Sequence, residues 1–143
     1  MHYLVLPPFT DWHLHVRQDD LLPSLVLASA RTCSRALIMP NTIPPVTNAA
    51  AAVRYKEEIL TGLTAAARQA SLQRVPAFEP LMTLYMTDNT TEKDLEDAKA
   101  AGVVAVKLYP KGATTNSNTV SLQHIKLLVQ GRHDSFTLTS SYR

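Results

Sequence analysis

Cysteine is almost missing from this chain of 143 residues: Cys33 is the only one. A lone thiol can form no intrachain disulfide and leaves no multi-cysteine zinc module. It fits a reducing compartment. Like charge gathers nowhere into a block, and the formal net charge is only +2, so nothing in the charge pattern asks for nucleic acid. No apolar run is long enough to cross a bilayer. The N-terminus lacks the charged and apolar regions of a secretory signal. The expectation from these absences is a cytoplasmic protein with neither a membrane nor a nucleic-acid partner. What is present is ordinary for a globular domain: 45% hydrophobic and 18% charged residues, in a length sufficient for one domain with a core.

Read in order, residues 3–17 suggest a strand interrupted by Pro7-Pro8. Residues 19–33 suggest a helix, with Asp19 and Asp20 in its first turn and an apolar stripe of Leu21, Leu22, Leu25, Val26 and Ala30. Ala36-Leu37-Ile38-Met39 is a short continuous apolar run, as in a strand buried on both faces. A helix is expected from about 48 to 61, capped by Thr47 or Asn48. The alanine-rich stretch 64–72 either extends it past Gly62 or forms a second piece. A third strand is expected over 81–86, a helix over 92–101 closed by Gly102, and a fourth strand over 103–106. A weak helical pattern follows at 121–131, and the tail from Arg132 to Arg143 is polar and patternless. This alternation predicts a parallel α/β structure.

The polar residues of interest all follow strands, where parallel barrels and open sheets build their sites. His13 and His15 fall on one side of a strand, with Arg17 after them. Two neutral imidazoles can hold a divalent metal and a guanidinium can grip a carboxylate; the plainer alternative is a polar strand edge. Lys107 closes an apolar strand. It is either the first solvated residue or a buried amine. Amines withdrawn from water favour their neutral form, which can add carbon dioxide to give a carbamate able to bridge two metals. Asn41 offers one acceptor and two donors, or simply forms a turn before Pro44-Pro45. Thr114 and Thr115 lie in a small-residue loop that is either a solvated connection or a lid.

Four blocks together carry a resemblance. They are Asp11-Trp12-His13-Leu14-His15-Val16-Arg17, Ile38-Met39-Pro40-Asn41 with Pro44-Pro45-Val46-Thr47, Pro80-Leu81-Met82-Thr83-Leu84-Tyr85, and Val106-Lys107-Leu108-Tyr109-Pro110 with Ala113-Thr114-Thr115-Asn116-Ser117. In this order they resemble dihydroorotase, in the single-function form of the amidohydrolase superfamily, over roughly residues 9–119. The resemblance implies a (β/α)8 TIM-type barrel, of which this chain would supply the N-terminal portion, about four βα units. It implies reversible hydrolysis of L-dihydroorotate to N-carbamoyl-L-aspartate in pyrimidine biosynthesis, with two Zn2+ ions. His13 and His15 match ligands of the first zinc. Lys107 matches the carboxylated lysine, both catalytic residue and bridging ligand. Arg17 and Asn41 match the pair binding the substrate carboxylate, and Thr114 and Thr115 match the loop that closes over substrate. Family members are commonly homodimers.

The chain departs from the family after Val120. Residues 1–120 are expected to form the N-terminal half of the barrel and 121–143 a divergent C-terminal tail, which does not read as the helix, strand and histidine that the resemblance implies next. The further ligands and the aspartate of the family's site are not found in the sequence. Residues 1–143 alone are therefore expected to be inactive, as a truncated or mis-spliced product. Another cyclic amidohydrolase, such as a hydantoinase, and a non-catalytic binding module are the competing readings.

Overall fold

The computed structural model describes residues 5–109 and 137–140. Its elements are β1 (Phe9–Leu14), a 3-10 turn (Asp19–Leu21), α1 (Leu22–Ala30), β2 (Cys33–Ile38), α2 (Ala49–Gln69), β3 (Glu79–Tyr85), α3 (Glu92–Ala100), β4 (Ala105–Leu108) and β5 (Thr137–Ser140). The five strands form one sheet in the order β1-β2-β3-β4-β5, and every neighbouring pair is parallel. From β1 to β4 the sequential parallel neighbours are joined through helices, the pattern of a partial (β/α)8 barrel.

Helices α2 and α3 start where side chains satisfy the open backbone donors. Asn48 accepts the Ala51 N–H at 2.9 Å and caps α2. Thr91 and Asp94 form a reciprocal capping box on α3. Gly102, at φ +82°, ends the turn after α3 in the left-handed region that glycine adopts freely.

Helix α2 runs unbroken through Gly62 for 21 residues. The glycine belongs inside it because α1 crosses there: a Cβ at position 62 would collide with Leu22 Cδ2. A tertiary contact thus decides between the extension and the second piece that the sequence left open.

One side of the sheet packs on the helices. Ala36, Ile38, Met82, Leu84 and Val106 join Val26, Leu27, Ile59 and Leu63 in the main buried cluster. The alternate strand residues Leu37, Met39 and Ala105, with Leu81 against them, form a second, smaller cluster. This period of two is what a sheet with two covered faces requires.

Several expectations differ from the structure: α1 covers Leu22–Ala30 of the expected 19–33, with Cys33 opening β2, and β4 covers Ala105–Leu108 in place of the expected 103–106. Among the described residues of the expected 3–17, strand β1 spans Phe9–Leu14, and its pairing with β2 slips between Asp11 and Leu14. Asp11 Oδ1 accepts the His13 N–H at 2.8 Å, a local bond that competes with the ladder. Strand β5 lies where the sequence suggested only a patternless tail. A four-residue Thr-Leu-Thr-Ser run has little pattern of its own, but the edge of β4 offers a row of unpaired backbone groups, and β5 adds to it in register from Ala105↔Thr137 to Leu108↔Ser140.

Candidate functional site

The carboxyl ends of β1, β2 and β4 bring the candidate residues together. Leu14 ends β1 and accepts the Met39 N–H at 2.9 Å, which sets His15 beside the end of β2. The His13 and His15 rings converge, with Nε2 atoms 3.3 Å apart and centroids 5.2 Å apart. Two nitrogens that each lie about 2.0–2.1 Å from one tetrahedral zinc stand roughly 3.3 Å apart, so the pair matches two ligand positions on one ion.

The surroundings lower the pKa of both imidazoles, which favours the neutral ring. Burial lowers the pKa of His13, and the Lys107 charge lowers it further against the opposing pull of Asp11. Burial, then Lys107, His13 and Arg17, lower His15 to about 4. Neutral imidazole is the form that ligates. Among the described residues, no group of three or more His, Cys, Asp and Glu is placed to hold a metal ion. The fit is therefore to two ligands, with Lys107 as the adjoining group.

Lys107 is not the first solvated residue of its strand. It sits within β4, paired with Tyr85 and Thr139, and only 1% of it is exposed. Its Nζ donates to Asn41 Oδ1 at 2.8 Å and stands 5.0 Å from the centre of the Tyr109 ring. Tyr109 in turn stacks on Tyr85, with ring centres 5.6 Å apart. A buried amine needs such partners, since an unpaired charge in the interior is costly.

Asn41 follows β2 in a loop closed by Val46 N–H to Pro40 O at 3.1 Å and fixed to β3 by Tyr85 N–H to Val46 O at 2.7 Å. The structure places its amide on Lys107. Arg17 lies two residues past His15, exposed, with φ 59°. Its charge reaches both His15 and Tyr55. Thr114 and Thr115 lie outside the described residues.

Three residues that bond to the backbone near these strand ends escaped sequence reasoning. Tyr55 donates its hydroxyl to the Arg17 carbonyl at 2.6 Å. Gln18 Oε1 accepts the Ile43 N–H at 2.8 Å. Thr83, fully buried, donates to the Ile38 carbonyl. Each acts across 25 or more residues of chain, and no local spacing reports such contacts.

Fold and site together define a portion of a parallel βα-barrel protein whose strand ends carry paired histidines and a buried lysine. No family model matches the chain. Among curated proteins, the dihydroorotase of Shewanella piezotolerans is 57% identical over 108 residues, covering 76% of this chain and 29% of that protein. Among solved structures, Campylobacter jejuni dihydroorotase superposes with a TM-score of 0.67 at 34% identity, over 92% of this chain and 37% of its own. Saccharomyces cerevisiae dihydroorotase in complex with 5-fluoroorotic acid gives a TM-score of 0.65 at 25% identity, over 92% and 35%. The chain is thus homologous to the dihydroorotases and spans about 29% of the length of the curated relative it matches.

Proposed function

We propose that these strand ends form one part of a dihydroorotase site, in a cytoplasmic enzyme of pyrimidine synthesis that reversibly hydrolyses L-dihydroorotate to N-carbamoyl-L-aspartate. The observation that carries this reading is the meeting of His13 and His15, Nε2 atoms 3.3 Å apart, with a Lys107 that is 1% exposed. The names of the relatives support the substrate class, as does the 5-fluoroorotic acid bound to the yeast enzyme.

In this reading His13 and His15 would hold one zinc ion. Zinc, when bound, supplies a nucleophile from water at neutral pH and polarises a carbonyl. As an ammonium, Lys107 opposes a nearby dication, just as it lowers the pKa of both histidines. Addition of carbon dioxide to its neutral amine, with release of a proton, would reverse that sign and give an anionic bridging ligand. Arg17 would grip the substrate carboxylate through its planar fork. Asn41 spends its oxygen on Lys107 and keeps two N–H donors for the same carboxylate. Thr114 and Thr115 would close over the substrate. The complete enzyme would be a homodimer with a second zinc. Residues 1–143 alone would hold at most a weak single-metal site and turn over no substrate.

Dialysis of the chain against zinc, followed by metal analysis and intact mass in bicarbonate buffer, tests this. We expect one zinc per chain, lost in His13→Ala and in His15→Ala, a mass increase of one carbon dioxide that disappears in Lys107→Met, and no turnover of dihydroorotate. Zinc retained equally by both histidine variants would sink the ligand assignment.

A further inference from the structure

Arg17 and Asn41 sit on different loops, after β1 and after β2. Neither loop by itself sets the spacing between them. Arg17 occupies the left-handed region at φ 59°, which strains a bulky non-glycine residue and persists only where the surroundings hold it.

Two side chains do so. Tyr55, buried in the first half of α2, donates its hydroxyl to the Arg17 carbonyl at 2.6 Å. Burial, then the nearby Glu58 charge, push its phenol up to about 12, against the opposing pull of Arg17, so it remains a donor throughout the neutral range. Gln18 accepts the Ile43 N–H at 2.8 Å and ties the Arg17 turn directly to the Asn41 loop. That loop is further closed by the Thr42 hydroxyl, which donates to the Pro44 carbonyl at 2.6 Å.

We propose that Tyr55 and Gln18 are positioning residues for a carboxylate clamp: through the Arg17 carbonyl and the Ile43 amide they set the distance between Arg17 and Asn41. The identity of the clamped ligand rests on the dihydroorotase reading; the positioning rests on the geometry. A clamp of this kind tolerates little displacement, because a misplacement of about 1 Å can cost on the order of a hundredfold in rate. Neither residue needs to touch the ligand to matter.

Tyr55→Phe keeps the ring in the core and deletes only the donor. Gln18→Ala deletes the acceptor at a half-exposed position and serves where Tyr55→Phe does not fold. In the full zinc-loaded chain we would measure the Arg17 amide coupling that reports φ, the exchange of the Arg17 and Ile43 amides, and the affinities for zinc and for L-dihydroorotate. In both variants the coupling should leave the left-handed value and exchange should quicken. Dihydroorotate binding should weaken about fivefold, the loss of one hydrogen bond's worth of positioning, while zinc affinity holds. A purely structural role would weaken zinc and dihydroorotate together. Unchanged coupling and exchange in both variants would overturn the proposal whatever the ligand does. If the couplings shift as expected but the unmutated chain binds no dihydroorotate, the ligand reading falls and the positioning stands.

Discussion

The two faces of the sheet are built for different purposes. On the helix side, strand residues Ala36, Ile38, Met82, Leu84 and Val106 share one cluster with α1 and α2. On the other side Leu37, Met39 and Ala105 make a cluster of three buried residues, and the same row of β4 continues into Lys107. A residue step of one along β4, from Val106 to Lys107, crosses from packing to chemistry. Among the described residues the helix face holds the larger apolar cluster, and the opposite face carries a buried amine near the end of its strand. That division is the one expected where a parallel βα array places its site at the strand carboxyl ends.

Substitutions on the two faces should separate these purposes. The largest effect belongs to Ile59→Ala. Ile59 is fully buried on the helix side, and its truncation should cost about 3 kcal/mol in urea unfolding through lost transfer energy and the cavity left behind. The histidine pair should be barely disturbed.

Lys107→Met should do the reverse. A linear side chain of similar volume keeps the row filled, and Asn41 can turn its freed oxygen to water. Unfolding should shift by less than about 1.5 kcal/mol. Removal of the charge that lowers both histidines should raise their pKa values, read by imidazole chemical shifts against pH. A large loss of stability with unmoved histidines would erase the contrast between the faces.

The smallest effect is a slope. His15 is held at about 4, below its ordinary 6.5, so on acidification the unfolded chain takes up the proton first. The neutral ring's contribution is present in full above the ordinary value, falls as pH drops through the window between the two, and is lost below the folded value. Stability measured across that window should therefore decline on acidification, and His15→Gln should flatten part of the decline.

Much of this was legible in the chain itself, and the reasons are local. Thr91 with Asp94 announced the start of α3, and Gly102 its end. The apolar runs before Asn41 and Lys107 announced buried parallel strands, and both are there. Lys107 shows where legibility stopped. A lysine at the end of an apolar run reads as solvated or buried from the same letters, and only the neighbours Asn41 and Tyr109, brought in by other strands and turns, decide. Asn41 shows it too: the resemblance paired it with Arg17, while the structure places its oxygen on Lys107.

Periodicity, capping residues and turn signals act over a few residues, so the sequence alone determined where α2, α3 and the cores of β1 to β4 lie and that these strands run parallel. Its motif spacing also set His13 and His15 on a common side. Contacts that span 25 residues or more depend on how the elements pack, and these only the tertiary structure decided. The unbroken course of α2 follows from Leu22 lying against Gly62. The fifth strand follows from an edge that β4 leaves open. The fixing of Arg17 and Asn41 by Tyr55 and Gln18 follows from a helix and a turn meeting in space, a coincidence no local pattern encodes.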